Sequence, residues 1–367
     1  MAERIRVATR KGLFTLEHHG PIAWRVAGKS FLGEPVTAVL DDPRSGALYA
    51  ALRLGHFGCK LHRSVDDGKN WREIAVPTYP TAPDPIKESD KPPSLDQIWT
   101  LETGGADQPG RLWAGTIPGG LFRSDDDGQS WSLCKHLWLQ PGRKEWFGGG
   151  YDSPGVHSVL VDPRNSRHVA VGISCGGVWQ SRDDGNSWSL AGKGLRAGYM
   201  PPERMDDPNI QDPHRIARCA GAPDVIWCQH HSGIFRSTDG GATFVEIKQA
   251  GPSTFGFAVV AHPGDGKTAW FVPAFKDECR VPVDGKLVVT GTRDGGASFA
   301  VLDGGLPHGD SYDLVYRHAL AIDDTGETLA MGSTTGNLRI GEQGGTRWSR
   351  VNVTLPPIAQ VAFAQSA

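Results

Sequence analysis

The sequence predicts an all-β fold: a seven-bladed β-propeller of four-stranded antiparallel blades, with the two chain ends closing one blade. Three observations carry that expectation. A short phrase rich in aspartate and glycine returns along the chain, β-like runs flank each copy, and an apolar segment near the carboxy terminus supplies one innermost strand that is otherwise missing.

The phrase reads RSDDDGQSW from Arg123. It returns as RSVDDGKNW from Arg63, QSRDDGNSW from Gln180, RSTDGGATF from Arg236 and, more weakly, GTRDGGASF from Gly291. A degenerate copy, IGEQGGTRW from Ile340, keeps the glycines and the tryptophan without the aspartate. Recurrence every ~50–60 residues marks a repeat architecture, and a catalytic group is not copied so often. In GGLFRSDDDGQSWSLC the copy lies between two β-like runs, so it reads as a hairpin turn. The glycine takes positive φ without steric cost, and the aspartate accepts backbone N–H bonds inside the turn. The aromatic residue supplies apolar area between neighbouring hairpins. Asp66, Asp126, Asp183, Asp239 and Asp294 are therefore expected to be structural, since a calcium loop of EF type also needs spaced oxygen ligands and a closing glutamate.

The pattern S-x-D-x-G-x-(S/T)-(W/F) resembles the Asp-box, or BNR, repeat of sialidase-like β-propellers, including bacterial glycosyl hydrolases with BNR repeats. The resemblance implies that each box lies between the outer two strands of a blade, on the face away from the active site and without metal. It also implies a hydrolase acting on carbohydrate. The chain departs from true sialidases in having no F-R-I-P motif near its amino terminus, and that family's arginine triad, nucleophilic tyrosine and glutamate partner find no counterparts. Sialidase activity proper is not expected.

The blades are counted by the strand that precedes each box. Innermost strands begin at Val36, Gln97, His157, His214, Phe257 and His318. The amino-terminal segment IRVATRKGLFTLEHHGPIAWRV has outer strands only, and IAQVAFA from Ile358 fits the gap. Pairing the two ends closes the ring and removes exposed sheet edges. Six blades, as in sialidases, is the alternative. Residues 1–367 are read as a single propeller domain.

Composition excludes several partners. Charged residues make up 22% and hydrophobic residues 38%, and the formal net charge is −3. No basic run offers a surface for phosphate backbones, so nucleic acid is not an expected partner. No apolar stretch is long enough to span a bilayer, and no leader with an apolar core opens the sequence, which leads us to expect a cytoplasmic protein. The six cysteines show no C-x-x-C spacing and are expected to be free thiols. No cofactor is expected.

If the boxes occupy one face, the long connections between blades occupy the other, where binding residues concentrate. The connection HLWLQPGRKEWFGGGYDSPGV carries Lys144, Glu145, Trp146 and Tyr151, a mixture suited to a sugar. Strand alternation favours His157, Arg215 and His318 as residues facing the central channel, with Arg317 beside them. Hairpins reaching the same mouth bring Arg53 and His56, His230 and His231, and Lys276, Glu278 and Arg280. The expected ligand is a small molecule or carbohydrate, possibly anionic in character, held by Arg53, His56, Tyr151, Arg215, His230, Arg317, His318 and Tyr312. Glu145 and Glu278 are candidates for acid and base in glycoside hydrolysis, and His157 with Tyr151 or Tyr312 for proton abstraction. Two alternatives stand beside this reading. One is a non-catalytic binding propeller, similar to sortilin-like receptors and photosystem assembly factors; the other is a metal centre on the axis held by His157, His214 and His318.

Overall fold

Each innermost strand is a short apolar run that pairs with the strand after it, and seven such units complete a ring. In the computed structural model, which describes residues 4–19, 23–87 and 91–364, seven four-stranded antiparallel sheets are present. Their innermost strands are Ile358–Phe363 in blade 1, then Val36–Asp42, Gln97–Thr103, Gly155–Asp162, Pro213–Arg218, Gly256–Ala261 and Leu320–Ile322 in blades 2 to 7. Residues 20–22 of the amino-terminal segment and 88–90 of the loop after Val76 lie outside the described residues.

The ring closes as the count of strands requires. Ile358–Phe363 runs antiparallel to Arg4–Thr9, with Val7 opposite Val361 and Ile5 opposite Phe363. Ile5, Val7, Ile358 and Val361 are buried in one apolar cluster. Two further contacts stitch this strand to its neighbours. The Gln360 amide bonds both the N–H and the carbonyl of Val39 in blade 2, each at 2.9 Å, and the Val361 N–H donates to the His318 carbonyl of blade 7 at 3.0 Å. Gly332 makes room for the strand: a β-carbon there would lie 2.5 Å from the Ile358 side chain.

The five aspartate turns share one set of bonds. In the copy at Ser124, the Asp126 carboxylate accepts from the Ser124 hydroxyl at 2.8 Å, the Ser130 N–H at 2.9 Å and the Ser130 hydroxyl at 2.6 Å, while the Gly128 N–H donates to Ser124 at 2.9 Å. Asp66, Asp183, Asp239 and Asp294 repeat this arrangement, with Thr292 in the serine position of the last. Residues after the aspartate sit at positive φ, as at Asp127 (59°) and Gly128 (81°), which explains the D-D-G and D-G-G spellings. Hydrogen bonds from Asn70 and Ser298 hold Asp66 and Asp294 down at about 2. All six cysteines are free.

Most innermost strands carry an irregularity near their start. Pairing skips Thr37, Trp99, His157 and His214, each of which sits as the extra residue of a bulge. A bulge re-aims the side chains around it, so the two-residue alternation that governs a regular strand fails at these positions.

Two tests follow from the architecture. Asp126→Ala removes three hydrogen bonds from a turn and is expected to lower stability by about 1–3 kcal/mol in a urea titration. A midpoint equal to that of the parent would argue against the turn as a stabilising device. Deleting the chain from Ile358 onward strips the innermost strand from blade 1 and uncovers sheet edges, so aggregation or a large fall in melting temperature is expected. A truncated protein that stays monomeric and equally stable would contradict closure by this strand.

Candidate functional site

On the face opposite the aspartate turns, the chain brings a carboxylate and two histidines together around blade 5. Asp212 precedes the innermost strand Pro213–Arg218, and His214 is the bulge residue near its start. His231 stands with Ser232 in the two-residue turn joining Ile226–His230 to Gly233–Ser237. Asp212 is 2% exposed. Its Oδ1 accepts from the Ser174 hydroxyl and the Cys175 N–H, each at 3.1 Å. Its Oδ2 lies 3.4 Å from His214 Nε2 and 3.5 Å from His231 Nδ1.

Aromatic rings and one arginine surround this cluster. His214 stacks on Phe257 at 4.4 Å, and its Nδ1 lies 2.6 Å from the Gly256 carbonyl. The buried Arg317 guanidinium is 4.8 Å from the Trp99 ring and 5.4 Å from Phe257, within cation–π range. Tyr199 meets His231 edge-on at 4.8 Å, and Tyr151 meets Trp99 at 5.2 Å. Gly149 covers the carboxylate, where a β-carbon would lie 3.1 Å from Asp212 Oδ2 and 2.6 Å from Cys175 Sγ.

Burial opposes the charge on Asp212, but His214, His231 and Arg317 outweigh it and hold the carboxyl well below the usual range. Burial lowers the proton affinity of His214, opposed by Asp212. Burial, and then the Asp212 charge, raises the Tyr199 phenol. Asp212 is therefore a carboxylate at neutral pH. A buried charge with perturbed neighbours is the usual mark of a functional site.

Three long loops frame this face, residues 75–96, 134–154 and 192–212, and they are pinned to one another. Arg143 pairs with Asp84 in a buried ion pair and lies 3.6 Å from the Trp138 ring, joining the first loop to the second. The indole of Trp146, fully buried against Trp179, donates to Asn209 at 3.0 Å and joins the second loop to the third. Trp146 thus packs the loop and offers no ligand surface.

Several residues anticipated at the mouth lie elsewhere. Arg215 and His318 face an axial cavity of about 1100 Å³ at the far ends of the innermost strands, lined also by Asp41, Glu102, Arg218 and Asp323 and by Asp67 of an aspartate turn. The Arg215 guanidinium donates to the Arg317 carbonyl, and His318 Nε2 donates to the His157 carbonyl at 2.7 Å, both across the ring. Burial drives Arg215 down to about 10 and His318 to about 3. His157 has no exposed surface: its Nδ1 meets Ser158 Oγ at 2.8 Å, its ring meets Trp99 at 5.7 Å, and burial holds it neutral. His230 is equally buried, with its ring nitrogens facing the N–H groups of Asp212 and Ser232.

The remaining anticipated residues are at the surface. Glu145 pairs with Arg204, which also binds Asp207, and Glu278 lies 3.7 Å from Lys276. Arg53 pairs with Asp96 at 2.8 Å, and the His56 ring lies tilted against Phe57. Tyr312 is exposed. Of the anticipated binding residues, Tyr151 and Arg317 adjoin the Asp212 cluster. Asp212, Ser174, Trp99, Tyr199 and Gly149 were not anticipated. The one local signal for Asp212 is its place two residues before His214 in QDPH.

No protein-family profile matches the chain. Over 78 residues it is 35% identical to the oligoxyloglucan-reducing end-specific xyloglucanase of Emericella nidulans, an alignment that spans 21% of this chain and 8% of that enzyme. Among solved structures it is similar to the GH74 xyloglucanase from Xanthomonas campestris, with a TM-score of 0.64 and 15% identity over 95% of this chain and 52% of that one. It is also similar to YCF48 bound to D1 peptide, with a TM-score of 0.52 and 15% identity over 87% of this chain and 82% of that one. These likenesses establish the propeller fold.

The cross-ring histidine yields a stability test. With a folded value of about 3 against about 6.5 in the unfolded chain, His318 leaves stability intact above pH ~6.5. As the pH falls from there toward 3 the unfolded chain takes the proton first, and stability is lost. Melting temperature is expected to fall as the pH drops from about 7 to about 4.5. His318→Gln keeps a donor without the titration and should flatten part of that fall; an identical profile would remove His318 from the account.

Proposed function

We propose that this propeller binds and acts on a carbohydrate, as an Asp-box repeat protein of glycoside-hydrolase type, at the face opposite the aspartate turns. The observation that carries this reading is the buried Asp212 carboxylate, set between two histidines beside Arg317 and ringed by Trp99, Tyr151 and Tyr199. A sugar presents hydroxyls to carboxylate and guanidinium groups, and flat C–H faces to aromatic rings. The likeness to xyloglucanases in sequence and fold supports the same ligand class. Asp212 takes the place first given to Glu145 and Glu278 as the central carboxylate.

A non-catalytic, peptide-binding propeller is the second reading, favoured by the extent of the likeness to YCF48 over that chain. Calorimetric titration with xyloglucan oligosaccharides, neutral sugars and sugar acids, together with an assay for new reducing ends, separates the two. We expect one sugar class to bind and Asp212→Asn to weaken it by about 1.5–3 kcal/mol, the range for a hydrogen bond to a charged group. Absence of binding across the panel, or unchanged affinity in Asp212→Asn, would turn the assignment toward the peptide reading.

A further inference from the structure

We propose that Asp212, His214 and His231 form a zinc-type metal site, with Asp212 Oδ2, His214 Nε2 and His231 Nδ1 as ligands and at least one coordination position left open. One ligand atom from each of the three residues lies within 4.8 Å of the other two, and Oδ2 is the oxygen nearest both rings. The site uses one of the three histidines considered for an axial metal; His318 Nε2 is bonded to the His157 carbonyl, and His157 is not part of the cluster.

The Gly256 carbonyl can only accept, and His214 Nδ1 lies 2.6 Å from it, so Nδ1 carries the hydrogen. In the neutral ring His214 Nε2 then presents a lone pair to the Asp212 carboxylate at 3.4 Å. A lone pair facing an anionic oxygen in a buried site is repulsive unless a cation lies between them. His231 Nδ1 faces the same oxygen at 3.5 Å.

The spacing selects a metal ion over a proton. A charged N–H···O bond closes to ~2.7–2.9 Å, well short of the observed separations. Zinc bonds of ~2.0–2.1 Å in tetrahedral geometry place neighbouring ligand atoms ~3.3–3.4 Å apart, which matches them.

The surroundings have the form of an outer shell. Ligating histidines commonly donate their other ring N–H to a carbonyl, as His214 does to Gly256. The second oxygen of Asp212 is fixed by Ser174 and Cys175, which leaves Oδ2 as the single coordinating oxygen. Two imidazoles and one carboxylate suit zinc and leave a position for water or a ligand oxygen. That position would polarise a bound oxygen or lower the pKa of a bound water. The inference shares this site with the proposed function, but it does not depend on the identity of the organic ligand.

The test uses the metal alone. The full chain is stripped with a chelator, confirmed folded by circular dichroism and titrated with Zn²⁺ by calorimetry and with Co²⁺ by visible absorption. One equivalent of Zn²⁺ per chain is expected, with the d–d bands of tetrahedral cobalt. His231→Ala, in a partly exposed hairpin turn, should weaken the metal by more than the ~10–100-fold typical of losing an outer-shell partner. His136→Ala, an exposed histidine away from the cluster, should leave it unchanged. Asp212→Asn gives a second variant of the ligand set. Folded parent protein that takes up neither ion stoichiometrically, or a His231→Ala variant that binds as the parent does, would overturn the proposal. Sugar binding that survives in the stripped protein leaves the metal result to stand by itself, so the two readings fail separately.

Discussion

Ring closure by the strand Ile358–Phe363 is the constraint on which the rest of the structure depends. A propeller blade buries its faces only against neighbours on both sides, so one missing innermost strand leaves two blades incompletely covered. Backbone pairing with Arg4–Thr9, the two-way bond of the Gln360 amide to Val39 and the bond from Val361 to His318 join blades 7, 1 and 2 through one short segment. Because the ring is closed, the first residues of the innermost strands converge on one face. Asp212 and His214 can then meet residues from blades far away in sequence.

The blades were legible because their turn chemistry is local. Serine, aspartate and glycine within five positions satisfy one another's hydrogen bonds, and the aspartate turn therefore appears in the sequence wherever it appears in space. The closing strand was legible by deficit, since blade 1 had outer strands and no inner one. Direction at the channel was only partly legible. Alternation placed Arg215 and His318 at the mouth opposite the aspartate turns, whereas they line the cavity on the side of those turns. His157 is fully buried rather than open to the channel, and it is the extra residue of a bulge that no residue type in HSVLVDP announces.

Asp212 illustrates the other limit. It lies outside any strand, in a long loop with no alternating or helical pattern. Its weight comes from partners on other segments: Ser174 and Cys175 from blade 4, His231 from the hairpin and Gly149 from the second long loop. Proximity of that kind has no sequence period. The exposed Glu145 and Glu278 drew attention because they stand among aromatic and charged residues, whereas a buried carboxylate is recognised by what has been excluded around it.

The bond from His318 in blade 7 to the His157 carbonyl in blade 4 is a spoke across the hub. With the Arg215 bond beside it, it crosses the axis where the cavity of about 1100 Å³ on the side of the aspartate turns ends. Blades 4 and 7 are thereby tied through the hub as well as around the rim, so spreading one side of the ring strains a contact on the other. The ring is braced like a wheel rather than held by its circumference alone.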